Sequence, residues 1–215
     1  MNIYNKRYKT IVLLTACVNP NGMSYTKLQD IEIRKQQYID ALNFYLQKTS
    51  LPICFVENTG YDMSKEFQYY INTGRLEYLY FYGNNYDSER GKGYGEAKII
   101  LYSLYHSQMM RSCKYFIKVT GRVIIPDIEK IAKSPFLIFK NVFRSDILAK
   151  DFIRTVVFIT TPQIIGDILE SRIEDITEKK GHILEEIIAA ELINRKYIYV
   201  IPFFSTVHIN GIFAT

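Results

Sequence analysis

The sequence is poor in cysteine and histidine, with three of each among 215 residues, and it has no tryptophan. Cys17, Cys54 and Cys113 are odd in number, far apart and embedded in apolar segments. This pattern excludes a disulfide framework and indicates reduced core thiols of a cytoplasmic protein. The histidines have no metal-ligand spacing to any cysteine. They are His106, His182 and His208.

Long apolar runs are also absent. No stretch approaches the ~18 consecutive apolar residues of a membrane-spanning helix. The apolar run 11–18 follows a basic N-terminus, but it is short and reaches Asn19-Pro20 without a cleavage site, so we expect no secretory signal. The expected location is the cytoplasm, and the only membrane contact we expect is peripheral, at the cytoplasmic face of the inner membrane.

Acidic residues are outnumbered, at 22 against 27 basic ones, which gives a net charge of +5. This surplus suits a phosphate-bearing ligand, an anionic membrane surface or weak nucleic-acid contact, and it does not select among them. Hydrophobic residues make up 48% of the chain, which excludes a disordered protein. Because no repeat or composition break divides the chain, we expect one domain over residues 1–215.

Short apolar segments alternate with segments in which apolar residues recur every three or four positions, as in α/β proteins. Strands are predicted at 11–18, 52–56, 76–82, 115–119, 136–142, 155–160 and 197–201, and helices along 28–46, 96–109, 162–169 and 182–194. In open sheets of this class, ligands bind beyond the carboxyl ends of the strands. Four polar segments follow predicted strands and are the first candidates for a site: 15–19, 57–62, 90–96 and 118–122.

The glycine-rich segment 91–95 precedes a predicted helix. Glycines at such a place let backbone N–H groups approach an anion, and Lys92 adds positive charge. The segment lacks the spacing of a P-loop and of the dinucleotide-binding fingerprint. An anion site and an ordinary solvated turn are equally open interpretations.

Lys118 and Arg122 flank a glycine where the predicted strand 115–119 ends. Two cations at this spacing would suit one diphosphate or phosphodiester, with lysine as a point charge and arginine as a planar fork. The alternative is a pair of surface cations beside a turn. We favour the phosphate interpretation because a cation at the end of a core strand is costly without a partner.

Glu185 and Glu186 are adjacent near the start of the last predicted helix. Neighbouring carboxylates can divide the work of acid–base catalysis, one orienting an acceptor and one taking its proton. From the residues alone, a solvated acidic helix start is the simpler explanation. The sequence has no nucleophile elbow, although it leaves a Ser-His-acid triad open.

In order along the chain, the motifs resemble GT-A-type glycosyltransferases, including the large family 2. They are IVLLTACVNP, ICFVENTGYD, GKGYGEA, YFIKVTGR, HILEE and VIPFFSTVH. The resemblance spans nearly the whole chain and is closest to small bacterial enzymes of surface-polysaccharide assembly, as in capsule or lipopolysaccharide. It implies a mixed, mostly parallel sheet flanked by helices in a single domain.

The resemblance also implies roles for particular residues. The donor nucleotide would be bound by Thr15, Cys17, Glu57, Asn58, Asp62, Lys92 and Gly93. Where the family has the Asp-x-Asp that holds a divalent cation, this chain has KVTGR. The expectation is therefore a metal-independent variant without a cofactor, in which Lys118 and Arg122 neutralise the leaving phosphate. A metal at Asp87 and Glu89 is the minority alternative.

By position, Glu186 matches the general base of inverting family members, with Glu185 beside it. The leading hypothesis is an inverting glycosyltransferase that moves a sugar from a nucleotide-sugar donor to a glycan or lipid-linked saccharide acceptor. The alternative is a noncatalytic nucleotide- or glycan-binding module of the same fold. A nucleic-acid partner is not expected, because the cations form no stripe interleaved with aromatic residues.

Overall fold

The computed structural model describes residues 7–24, 26–146, 148–149 and 151–203. Within these ranges, strands alternate with helices as the sequence predicts. The strands are β1 Tyr8–Ala16, β2 Ile53–Glu57, β3 Leu76–Tyr80, β4 Cys113–Thr120, β5 Val142–Ser145, β6 Val157–Thr160 and β7 Tyr199–Pro202. The helices are α1 Ile31–Lys48, α2 Gln68–Asn72, α3 Gly91–His106, α4 Gln108–Ser112, α5 Ile128–Ala132, α6 Pro162–Arg172 and α7 Leu184–Asn194.

The seven strands form one sheet in the order β3-β2-β1-β4-β6-β5-β7. Parallel pairing joins β3 to β2, β2 to β1, β1 to β4 and β5 to β7. Among the described strands, β6 alone runs the other way, antiparallel to β4 and β5. The prediction of a single α/β domain with a mixed, mostly parallel sheet and flanking helices is confirmed.

The central strand β1 is buried on both faces, which explains its uninterrupted apolar sequence. Val12 and Leu14 face the cluster that contains α1 and α5. Ile11 and Leu13 face the opposite cluster, to which α3, α6 and α7 contribute. Helices therefore cover both faces of the sheet around β1.

The chain order reverses at β1, because β2 and β3 lie on one side of it and β4 lies on the other. A crevice is expected at the carboxyl ends of the strands where the order reverses. There, Thr15 of β1 lies opposite Thr120 of β4, and the Gly121 N–H donates to the Thr15 carbonyl at 2.8 Å. A Cβ on Gly121 would lie 2.7 Å from that oxygen, so this position requires glycine.

Two local predictions are wrong. The strand predicted at 136–142 is instead a 3₁₀ helix, Pro135–Ile138, followed by β5. Proline suits the first helical position, and Ile138 is 75% exposed, so this apolar segment is not a buried strand. The glycine-rich segment 91–95, predicted to precede the helix at 96–109, instead forms the first turns of α3.

Tyr45 of α1 connects this helix to the segment after β4. Its buried hydroxyl donates to the Val123 carbonyl at 2.7 Å and accepts from the Ile125 N–H at 3.0 Å. Both backbone groups lie close in the chain to Arg122. The Tyr45 hydroxyl therefore anchors segment 123–125, which directly follows Arg122.

We expect Tyr45→Phe to lower the free energy of unfolding by about 1–3 kcal/mol, because both buried backbone groups lose their partner. Urea denaturation measures the change. Tyr69→Phe, at a residue 73% exposed, is the matched control and should stay within about 0.5 kcal/mol of the wild type. Equal stability of the two variants would contradict the role given to the Tyr45 hydroxyl.

Candidate functional site

A cavity of about 250 Å³ lies at the carboxyl ends of β1 and β4, at the point where the strand order reverses. The side chains that line it come from the ends of the strands, from α1 and α3, and from the start of α7. Its polar lining includes Thr15, Cys17, Arg34, Tyr38, Asn58, Lys92, Glu96, Arg122, Thr155 and Glu185. Most of the predicted donor-binding residues are therefore near one another, and several residues that the sequence did not single out join them.

Arg34 and Tyr38 of α1 fix the end of β1 at this cavity. The Arg34 guanidinium donates to the Cys17 carbonyl at 2.6 and 3.0 Å. The Tyr38 hydroxyl accepts from the Cys17 N–H at 3.0 Å. Arg34 was not among the residues predicted for the site, although it lies four residues before Tyr38, on the apolar stripe of the helix. A charged residue on such a stripe is the signal that could have found it.

The Cys17 side chain lines the cavity as a neutral thiol. Burial raises the pKa of Cys17 to about 11, against a smaller lowering by Arg34. All three cysteines are free, which agrees with the reduced thiols predicted. Cys17 therefore offers the cavity a weakly polar group rather than a nucleophilic thiolate.

Glu57 was predicted to contact the donor, but its carboxylate accepts hydrogen bonds from other residues of the chain. It accepts from the N–H groups of Val18, Thr59 and Tyr61 at 2.8–2.9 Å, and also from the Thr59 hydroxyl. Its side chain is fully buried, and burial raises its pKa. These bonds hold the segments after β1 and β2 together. Asp62, in contrast, is exposed and accepts from the Ser64 N–H at 2.8 Å, away from the cavity lining.

Asn58 lines the cavity and is only 1% exposed. Its backbone is anchored, because its N–H donates to the Ala16 carbonyl and its carbonyl accepts from the Gly83 N–H. Within the described part of the chain, its buried side-chain oxygen Oδ1 accepts no hydrogen bond. A buried acceptor without a partner is costly, so this oxygen suits an N–H or O–H group of a ligand.

The first turn of α3 binds a carboxylate of the chain itself, that of Glu178. The Gly93 N–H donates to a carboxylate oxygen of Glu178 at 2.7 Å, and a Cβ on Gly91 would collide with the same carboxylate. Burial raises the pKa of Glu178. The Gly93 N–H, predicted to contact the donor, is therefore engaged by Glu178. The neighbouring Lys92 is exposed and lies at the cavity lining.

Lys118 and Arg122 do not converge. Lys118 is fully buried, forms an ion pair with Glu96 of α3, and donates to the Thr155 carbonyl at 2.7 Å. Arg122 is half-buried, lines the cavity and donates to the Gln37 side chain of α1 at 3.4 Å. Because α1 and α3 cover opposite faces of the sheet, the two cations lie on different sides of it. Arg122 alone of the pair reaches the cavity.

The two adjacent glutamates of α7 lie in different surroundings. Glu185 lines the cavity, and its Oε1 accepts from the Thr155 hydroxyl at 2.6 Å. Glu186 is exposed and does not line the cavity. The structure therefore brings Glu185, and not Glu186, to the cavity.

A divalent cation of the kind expected in the resembled family does not fit this arrangement. The described residues contain no group of three or more histidine, cysteine, aspartate or glutamate side chains that could hold a metal. Glu96, a carboxylate that lines the cavity, is paired with Lys118. Asp87 accepts from the Glu89 N–H, and Glu89 pairs with Lys179, so both belong to a local contact with the segment after α6.

His208 and the apolar end of the chain, 209–215, lie outside the described residues. Among the helices of the described ranges, none combines the length and apolar character needed to span a bilayer.

No protein-family model and no curated protein sequence matches this chain. Solved structures do match it. The 4-diphosphocytidyl-2C-methyl-D-erythritol synthase of Anaerococcus prevotii is 11% identical, with a TM-score of 0.51 over 99% of this chain and 95% of that one. The mannosyltransferase Ktr4p of S. cerevisiae, in complex with GDP, is 9% identical, with a TM-score of 0.53 over 95% of this chain and 71% of that one.

A protein of Desulfovibrio desulfuricans assigned as a nucleotide-diphospho-sugar transferase is 10% identical, with a TM-score of 0.50 over 91% of this chain and 80% of that one. At these identities the likeness concerns the fold alone. The chain has the fold of nucleotide-diphospho-sugar transferases, which glycosyl and nucleotidyl transferases share.

Proposed function

We propose that this protein is a glycosyltransferase that moves a sugar from a nucleotide-sugar donor to a glycan or lipid-linked saccharide acceptor. The observation that carries the proposal is the cavity where the strand order reverses, which combines a cation, a buried unpaired acceptor and a carboxylate. These groups correspond to the three parts of the reaction, namely the diphosphate, the nucleoside and the acceptor hydroxyl. The fold supports the same interpretation, because similar structures include a mannosyltransferase in complex with GDP.

The donor would be bound mainly by Arg122, Lys92 and Asn58. The Arg122 guanidinium can donate two parallel hydrogen bonds to phosphate oxygens, and Lys92 adds a point charge at the cavity lining. Asn58 Oδ1 would accept from an N–H group of the base, which removes the cost of leaving it unpaired. In this arrangement the leaving diphosphate is neutralised by side chains, and the reaction is independent of a metal ion.

The acceptor would be activated by Glu185. An acceptor hydroxyl oxygen attacks the anomeric carbon from the face opposite the diphosphate, while its proton passes to the Glu185 carboxylate. The bond from the anomeric carbon to the phosphate oxygen breaks, its electrons leave with the nucleoside diphosphate, and the configuration inverts. The Thr155 hydroxyl donates to Glu185, so it orients this carboxylate. The exposed Glu186 does not contact the cavity, so the assignment of the base moves by one residue.

A thermal-shift screen of UDP, GDP, CDP, CMP and their sugar conjugates tests the donor site. Without Mn²⁺ or Mg²⁺, one nucleotide class should stabilise the protein, by about 2.7 kcal/mol at a concentration ~100 times its Kd. Arg122→Ala should lose at least about tenfold in affinity, because a hydrogen bond to a charged group is lost. Arg111→Ala, an exposed arginine just before the amino end of β4, is the matched control and should bind normally.

Two results would contradict the donor site. If no nucleotide stabilises the wild type, the glycosyltransferase proposal loses its donor. If stabilisation appears only with a divalent cation, the metal-independent mechanism is wrong.

Adjacent single variants test the base. Glu185→Gln should lower the rate of sugar transfer, measured as acceptor-dependent release of nucleoside diphosphate, by about 10²- to 10⁴-fold, because a general base contributes that much. Glu186→Gln should stay within a few fold of the wild type. Nucleotide binding by both variants should be unchanged, which is measured in the same thermal-shift assay.

If both variants bind nucleotide and turn over like the wild type, Glu185 is not the base. If the wild type binds nucleotide but transfers to no saccharide acceptor, the alternative of a noncatalytic binding module is favoured. A larger loss in Glu186→Gln than in Glu185→Gln would restore the assignment made from the sequence.

A further inference from the structure

Lys118 is a cation enclosed entirely by the protein, directly beneath the cavity. Its side chain has no exposed surface. Three oxygens surround its ammonium: a carboxylate oxygen of Glu96, the Thr155 carbonyl at 2.7 Å and the Thr120 hydroxyl at 3.2 Å. An ammonium group has three N–H donors, so these three oxygens match its full capacity.

The three oxygens come from parts of the chain that are distant in sequence. Glu96 lies in α3, Thr120 ends β4, and Thr155 precedes β6. A local turn does not produce such a group, because the sheet and the helix must assemble first. The Lys118 ammonium therefore lies in an oxygen-lined position that the tertiary structure builds.

Around the Lys118 ammonium there are two carboxylates, those of Glu96 and Glu185. Glu185 is joined to it through Thr155, whose hydroxyl donates to Glu185 while its carbonyl accepts from Lys118. Burial lowers the pKa of Lys118, and the nearby Glu185 partly opposes this effect. Two carboxylates, a carbonyl and a hydroxyl are the hard oxygen donors that Mg²⁺, Mn²⁺ and Ca²⁺ prefer.

We propose that the Lys118 ammonium occupies an oxygen-lined cation site at the floor of the cavity and thereby excludes a divalent cation from it. The site would bind a divalent cation once the ammonium is removed. This inference concerns the charge balance of the cavity floor and does not depend on which ligand the cavity takes. Its consequence is that the positive charge beneath the cavity comes from the chain itself and does not vary with metal concentration.

The test is Mn²⁺ binding followed by electron paramagnetic resonance, with the metal alone as the probe. Lys118→Ala should bind one Mn²⁺ at least about tenfold more tightly than the wild type, a difference of about 1.4 kcal/mol. Lys118→Gln is the second variant, because it keeps more of the side-chain volume. Adding Glu96→Gln to either variant should abolish the gain, since it removes the carboxylate that now pairs with Lys118.

Three outcomes would overturn the proposal. The first is a wild type that already binds one Mn²⁺ in a manner that Glu96→Gln removes. The second is a folded Lys118→Ala or Lys118→Gln that gains no Mn²⁺ affinity. The third is failure of both variants to fold even with Mn²⁺ present, because a metal at this site should replace the lost charge. None of these readouts uses nucleotide or turnover, so failure here is separable from failure of the proposed function.

Discussion

The ion pair between Lys118 and Glu96 connects the elements that build the cavity. It joins the end of β4 to the first turns of α3, and through Thr155 it reaches Glu185 at the start of α7. Burying charged groups is costly, and removing one partner of a buried pair typically costs about 3–5 kcal/mol because the other is left uncompensated. The pair and Thr155 therefore link β4, α3 and α7, three of the elements that line the cavity.

Many polar side chains at the strand ends make hydrogen bonds to other parts of the chain and are not available to a ligand. The Glu57 carboxylate is saturated by backbone and side-chain donors, and the Glu178 carboxylate accepts from the first turn of α3. Arg34 is committed to the Cys17 carbonyl. What stays open toward the cavity is a smaller set with distinct chemistry. Arg122 offers positive charge, Asn58 a buried acceptor and Glu185 a carboxylate.

The alternation of apolar runs and amphipathic segments was enough to predict the α/β fold, because a strand buried on both faces needs an uninterrupted apolar sequence such as 11–18. The same pattern wrongly predicted a strand at 136–142, where the sequence is apolar. Pro135 begins a 3₁₀ helix there, and Ile138 is exposed rather than buried in the sheet. In the sequence, Gly121 is the glycine that follows the end of the predicted strand 115–119. The structure adds a requirement for glycine there, since the Thr15 carbonyl leaves no space for a Cβ.

The sequence was enough to predict which residues lie at the strand ends, but not where their side chains point. Lys118 and Arg122 are four positions apart, yet one side chain turns toward α3 and the other toward α1. Glu96 lies in the candidate segment 90–96 but was given no role there, and Thr155 was not a candidate, because the importance of both comes from contacts that only the folded sheet creates. The difference between Glu185 and Glu186 likewise depends on which face of α7 meets the cavity, and adjacent residues on a helix point in different directions.

A crystal structure of the protein grown with the nucleotide that stabilises it most, in the presence of Mg²⁺, tests the proposed donor site and the role of Lys118 together. We expect phosphate oxygens to contact the Arg122 guanidinium and a donor group of the base to reach Asn58 Oδ1. The Lys118 ammonium should keep its three oxygen partners. A Mg²⁺ ion bridging the phosphates and Glu96, or a nucleotide bound away from the ends of β1 and β4, would contradict these expectations.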